Sequence, residues 1–117
     1  MEIKDYIVDV DGTLLDVAQT IDKNNSRCVI VIDDSKVIGV ISEGDLLRAL
    51  LRGTNIHSPL RAFIQHGFVF LEERNMDAAL TLFQSHGISL IPILNQSLAL
   101  IDVITLNEML ARVKLDA

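Results

Sequence analysis

The 117-residue sequence predicts an α+β (α/β) fold built from tandem βαββα repeats related by pseudo-two-fold symmetry. Three observations carry that expectation. Short β-branched runs alternate with stretches whose apolar residues fall at helical spacing. The order of these elements occurs twice. The length suffices for one buried core and is too short for two independent domains.

In the first repeat a strand is expected over Ile7 to Val10. A helix follows from about Leu14 to Asp22, because Leu14, Val17, Ala18 and Ile21 recur at i, i+3, i+4 and i+7. Thr13 suits its N-cap and Asp16 its third helical position. A solvated Lys-Asn-Asn-Ser segment ends it. The runs CVIVI (Cys28 to Ile32) and VIGVI (Val37 to Ile41) then read as a hairpin around Asp33-Asp34-Ser35-Lys36. After Ser42, EGDLLRALLRG reads as a second helix with Leu46, Leu47, Leu50 and Leu51 on one side and Gly53 as its stop.

The second repeat follows the same order. FVFL (Phe68 to Leu71) is expected as a strand, and Met76 to Gln84 as a helix with Ala79, Leu82 and Phe83 inward, terminated at Gly87. ISLIPIL and ALIDVI form a second strand pair around Asn95-Gln96-Ser97, and LNEMLARV closes the chain as a helix. Setting Ala18 on Ala79 places Val31 on Pro92, an offset of 61, whereas setting Ser42 on Thr105 places Asp45 on Glu108, an offset of 63. The difference implies a two-residue insertion in the second hairpin. The expected boundaries are residues 1–53 for the first repeat, 54–67 for a structured connector and 68–117 for the second repeat, the whole forming one compact module. Within the connector, Ser58-Pro59 marks a helix start, with Leu60, Phe63 and Ile64 placed to pack back.

Composition narrows the partners. A net charge of −6, no Trp and one Tyr argue against nucleic acid, which calls for a basic face and aromatic platforms. No apolar run approaches the roughly 18 residues that span a bilayer, and the first residues do not open a signal peptide, so a soluble, cytoplasmic protein without a membrane partner is expected. Cys28 lies in an apolar run and reads as a core thiol. His57, His66 and His86 lack metal-ligand spacing and read as surface or turn residues.

KVIGVISEGDLLRALLRG in the first half, GISLIPIL in the second and the repeated order around them resemble the cystathionine β-synthase (CBS) domain family, whose members occur as tandem pairs called Bateman modules. The resemblance spans essentially the full chain. GVISEGDLLRALLRG followed by SPLRAFI looks most like the pairs attached to sugar-phosphate nucleotidyltransferases and isomerases. It implies a cleft between the repeats that takes an adenosine-containing ligand such as AMP, ADP, ATP or S-adenosylmethionine, with no required cofactor. The family's [ST]-x-x-[DN] motif, with its hydroxyl toward phosphate and its carboxylate toward ribose, maps onto Ser42 and Asp45 and onto Thr105 and Glu108. Its G-h-x-x-x-P loop, which borders the base, maps onto Gly87, Ile88 and Pro92. Two departures stand out, Val31 in place of the first proline and Glu108 in place of Asp or Asn, so Asp45 is the better ligand candidate.

Physical chemistry supports this site and also supplies a plainer reading. A helix beginning near Glu43 presents unpaired N–H groups and a partial positive charge to phosphate, and an ionised Asp accepts from two neighbouring hydroxyls. Lys23, Arg27, Arg48 and Arg52 are available to add positive charge. Equally, Ser42-x-x-Asp45 and Thr105-x-x-Glu108 both fit a capping box, Thr105-Leu-Asn-Glu108 the better of the two.

A rival reading starts from IVDVDGTLLD, which resembles the haloacid dehalogenase-like phosphohydrolases, with Asp9 as nucleophile, Asp11 as acid/base and Asp33-Asp34 on Mg²⁺. Its surroundings disagree. Asp33-Asp34 suits a hairpin turn, Asp5 interrupts the preceding strand, and the repeat leaves no room for a larger α/β domain. The second repeat has LEERNMDAAL in the same role without the motif.

The expectation is therefore a regulatory, nucleotide-sensing module rather than an enzyme, acting on a catalytic partner domain or protein, with no metal site. Apolar helix faces left over after one core is formed point to a homodimer. A third reading is a CBS pair that serves only to dimerise.

Overall fold

A computed structural model describes the backbone of residues 1–116 and the side chains of residues 1–112. The chain divides into two compact units, Met1–Phe68 and Val69–Ala117. Among the described residues there are four α-helices and two small sheets.

The first unit runs from a 3-10 turn (Ile3–Tyr6) through β1 (Ile7–Asp9), α1 (Leu14–Asn24), β2 (Cys28–Asp33), β3 (Lys36–Ser42) and α2 (Glu43–Leu51) to a second 3-10 turn (Leu60–Phe63). The sheet order is β1-β2-β3, with β1 parallel and β3 antiparallel to β2. Parallel pairing needs a crossover, which α1 supplies. Asp34 and Ser35 take φ of 49° and 68°, the left-handed pair that a tight hairpin requires. Val8 and Val10, Leu14 and Val17 of α1, Val29 and Val31 of β2, Ile41 of β3 and Leu46 and Ala49 of α2 form one core, closed by Leu60. Val29 and Val31 of β2 and Ile41 of β3 share this face because strand side chains alternate between faces. Only Leu46 and Ala49 of α2 are buried, whereas Leu47, Leu50 and Leu51 are exposed, so the expected four-leucine inner face is narrower than the spacing suggests.

The connector belongs to the first unit. Leu14 and Leu15 donate their N–H groups to the carbonyls of Ser58 and Ile56, at 3.0 and 2.8 Å, and Leu60 donates to Gly12 at 3.1 Å. Further on, Gln65 exchanges both backbone hydrogen bonds with Val40, at 2.8 and 3.2 Å. This pairing depends on Gly39, because a Cβ there would stand 2.5 Å from the Gln65 carbonyl oxygen and closer still to the Ile64 side chain.

Asn24, fully packed at the end of α1, donates to the carbonyls of Asp5 and Cys28 at 3.2 and 3.1 Å and accepts from the Ser26 N–H at 2.8 Å. One amide thus ties the N-terminal turn, α1 and β2 together, which satisfies groups that would otherwise be costly to bury.

The second unit contains α3 (Met76–His86), β4 (Leu90–Leu94), β5 (Leu100–Thr105) and α4 (Leu106–Asp116), around a core of Ala79, Phe83, Ile91, Ile93, Ile104 and Met109. The strand expected at Phe68 to Leu71 is reduced to one bridge, Leu71 with Ile93. Leu71 donates to Pro92 O at 3.0 Å and accepts from Leu94 N–H at 2.9 Å. The next rung toward the N terminus would need an N–H on Pro92, which proline lacks.

Strand register also corrects the alignment of the repeats. The bulge between Val31 and Ile32 recurs between Ile93 and Leu94, and Cys28↔Ser42 recurs as Leu90↔Thr105. The N-caps Thr13 and Asn75 and the left-handed C-caps Asn25 and Gly87 keep the same spacing. Through α1 and β2 the offset is therefore 62, not 61, and Pro92 matches Ile30 rather than Val31. It becomes 63 only after the hairpin, so the insertion is one residue rather than two.

Candidate functional site

Ser42 is the last residue of β3 and the N-cap of α2, with φ −87° and ψ 162°. Its hydroxyl accepts from the Asp45 N–H at 3.1 Å, and Asp45 Oδ2 accepts from the Ser42 N–H at 2.9 Å. This is a complete capping box. The same carboxylate does more than cap. Its Oδ1 accepts from Arg48 Nη2 at 2.8 Å, and its Oδ2 accepts from the Gln65 side-chain amide. The Asp45 side chain is only 16% exposed. Burial works to raise its pKa, but the Ser42 N–H, the Gln65 amide, the Ser42 hydroxyl and the Arg48 guanidinium outweigh burial and hold it below the usual carboxylate range. Asp45 is thus an ionised, largely enclosed acceptor. Of the first-turn amides, Glu43 N–H is taken by Arg27 O at 2.8 Å and Asp45 N–H by the Ser42 hydroxyl, and the Arg48 guanidinium lies against Gly44.

In the second unit Thr105 ends β5 and its hydroxyl accepts from Glu108 N–H at 3.1 Å. Leu106 N–H bonds Ser89 O at 2.8 Å, as Glu43 bonds Arg27 in the first unit. The Glu108 carboxylate is bound by Arg74, which also donates to Asp102 at 3.0 Å and to Val103 O at 3.4 Å. Gly87 closes α3 in the left-handed conformation with φ 60°, as its loop position requires. Ile88 packs against the second core, and Pro92 is fully buried within β4. Ser42 is thus grouped with Asp45, and Thr105 with Glu108. Gln65 and Arg74 were missed because each reaches its carboxylate across 20 or 34 residues, and no local pattern marks such a contact.

The IVDVDGTLLD segment is built as a helix start. Thr13 caps α1 and forms a reciprocal box with Asp16. Asp9 accepts from Asp11 N–H at 2.9 Å, and Asp11 pairs with Arg61 at 2.8 Å. Asp33 and Asp34 sit at the β2–β3 turn. Parallel pairing does bring the ends of β1 and β2 together, yet among the described residues no three His, Cys, Asp or Glu side chains are placed to hold a metal ion.

The Cys28 thiol is buried and its pKa is pushed up to about 12, by burial first and by nearby Asp45 second, so it is protonated at neutral pH. An open cavity of about 470 Å³ lies beside β1 and α1, lined in part by Lys4, Asp9, Asp16 and Lys23. Both lysines are paired, Lys4 with Glu2 and Lys23 with Asp5. Asp9 of the phosphohydrolase-like motif and Lys23 line it, whereas Ser42, Asp45, Ile88, Pro92, Thr105 and Glu108 do not. Among the described residues, no helix is long and apolar enough to cross a membrane.

Comparison with known proteins bears on the fold. The CBS domain family model matches residues 2–52. A CBS domain protein from Pyrobaculum aerophilum complexed with AMP superposes with a TM-score of 0.77 at 18% identity, over 93% of this chain and 90% of that one. A CBS domain pair/ACT domain protein from Thermotoga maritima gives 0.74 at 21% identity, over 99% and 98%. The cytosolic domain of the Mg²⁺ channel MgtE in complex with ATP gives 0.72 at 15% identity, over 92% of this chain and 45% of that one. An uncharacterized Helicobacter pylori protein is 28% identical over 93 residues, which are 76% of this chain and 28% of that protein's length.

Proposed function

We propose that this chain, whose first repeat is a CBS domain and whose fold is that of a CBS-domain pair, is a regulatory module that senses an adenosine-containing nucleotide. The observation that carries the reading is Asp45, an ionised and mostly enclosed carboxylate in the first turn of α2. Two vicinal hydroxyls of a ribose satisfy such an acceptor. A phosphate in the same turn finds the Ser42 hydroxyl and the positive end of the helix, with Arg48 alongside. That fold neighbours are complexed with AMP and with ATP supports the same ligand class.

Binding requires the ribose to displace the Gln65 amide from Asp45. Gln65 lies on the connector, which it pins to β3. Occupancy of the site therefore changes what holds the connector, and this is the signal passed to a catalytic partner in the same chain or another. A sugar-phosphate nucleotidyltransferase or isomerase domain is the partner class the sequence favours. Pro92, fully buried here, borders the base only if β4 opens to it, so Ile88 is the better base contact in the second repeat.

A second reading is a dimerisation module without ligand. It is favoured by exposed leucines on α2, with Leu47 and Leu51 at 51% and 86% exposure. Such an apolar stripe suits a second copy of the chain.

Thermal unfolding with AMP, ADP, ATP, S-adenosylmethionine, guanine nucleotides and nucleotide-sugars separates the two. An adenine ligand present at 100 times its Kd is expected to add about 2.7 kcal/mol of stability. If no member of the panel moves the midpoint at millimolar concentration, the dimerisation reading replaces this one.

A further inference from the structure

The corrected register sets three positions of the second repeat beside three of the first. Arg74 corresponds to Gly12, Asp102 to Gly39, and Glu108 to Asp45. In the first repeat the two glycines carry no side chain. The space over Gly39 is filled by Ile64 and Gln65 of the connector, and a neutral amide reaches Asp45. In the second repeat the corresponding positions place a guanidinium between two carboxylates. Arg74 donates through Nη1 to Asp102 and Val103 O and through Nη2 to Glu108.

These partners are unequal as obstacles to a ligand. At Asp45 Oδ2 a neutral amide gives way to a ribose hydroxyl at little electrostatic cost, because one neutral donor replaces another, while Arg48 keeps its own bond to Oδ1 and the charge stays compensated. A guanidinium fork shared by two carboxylates has no such substitute, since its removal leaves Glu108 and Asp102 facing each other uncompensated. The set Arg74, Asp102 and Glu108 carries a net charge of −1, which also disfavours an incoming phosphate.

We propose that Arg74 is an internal plug that occupies Glu108 in place of a ligand, so that nucleotide is read by the first-turn carboxylate of the first repeat alone. The inference rests on the nucleotide-sensing reading for the identity of the ligand. The plug itself is a property of the second repeat and is tested separately from that reading.

The experiment is an NMR titration of AMP into ¹⁵N-labelled wild type, Arg74→Ala and Arg74→Gln, following the amides of residues 42–45 and 105–108. Arg74 is exposed and its ion pairs lie at the surface, so both variants are expected to fold. In wild type the first set moves and the second stays. In both variants the second set moves as well, and the binding stoichiometry rises from one to two. Movement of residues 105–108 in wild type overturns the plug, as does their silence in both variants. A response of that set in the variants, with residues 42–45 silent throughout, supports the plug while removing the assignment of sensing to Asp45.

Discussion

Gly39→Ala is expected to destabilise the protein by about 2–3 kcal/mol, the upper part of the range for forcing extra carbon into filled space. The added Cβ meets the Gln65 carbonyl oxygen at 2.5 Å and the Ile64 side chain closer still. Ile64 is able to change rotamer, but the carbonyl moves only with the backbone. The connector must then lift from β3, which breaks the paired hydrogen bonds between Val40 and Gln65 and draws the Gln65 amide away from Asp45. For a domain of this size such a loss lowers the Tm by roughly 8–15 °C. Gly67→Ala, with nothing within 4 Å of its added Cβ, is the control and should change the Tm by little. Equal melting points for wild type and Gly39→Ala in thermal or urea unfolding would show that the connector does not depend on this contact.

The second large effect concerns Asp45. Asp45→Ala removes the reciprocal half of the capping box and leaves the Gln65 amide and Arg48 without their acceptor, at a cost of about 1–2 kcal/mol. Asp45→Asn keeps the size and one acceptor oxygen for the Ser42 N–H and the Gln65 amide, and loses the charge and the second oxygen, which accepts from Arg48; it perturbs the cap less than Ala and is the better probe of ligand binding. Its stability relative to wild type should vary with pH in a defined direction. Because the folded pKa of Asp45 is depressed, its contribution is fully present above the unfolded value of about 3.9 and is lost as pH falls through the lower folded value. The gap in Tm between wild type and Asp45→Asn should thus be full at pH 7 and close only under acid conditions below about pH 4.

Local pattern made most of the fold legible. The helical spacing of Leu14, Val17 and Ile21, the β-branched runs of β2 and β3, and Thr13 and Ser42 as N-caps are all decided within a few residues, and all are found. Features set by pairing at a distance were read less well. The strand at Phe68 to Leu71 shrank because Pro92, 21 residues on from Leu71, withholds an N–H from the ladder. The repeat offset was one residue out because a buried alanine was matched to an alanine, whereas bulge position and cap position fix the true register.

For the candidate site, the Ser42 and Asp45 pair was legible, since a hydroxyl and a carboxylate three apart before a Leu-rich helix have one local geometry. What else binds Asp45 was not. Gln65 arrives only because Gly39 admits the connector, and that dependence joins a backbone clearance to a side chain on another segment. The resemblance of IVDVDGTLLD to a catalytic loop likewise reflects local grammar. Asp-Gly-Thr followed three residues later by Asp starts a helix here.

The measurement that tests the central claim most directly is calorimetric titration of AMP and ATP into wild type and Asp45→Asn at pH 7 under identical conditions. Wild type should bind one adenine nucleotide per chain. The variant, folded by its melting curve, should bind at least tenfold more weakly, a difference of about 1.4 kcal/mol. Equal affinity in the two proteins would contradict the assignment of Asp45 as the ribose acceptor and with it the sensing site argued from the first turn of α2.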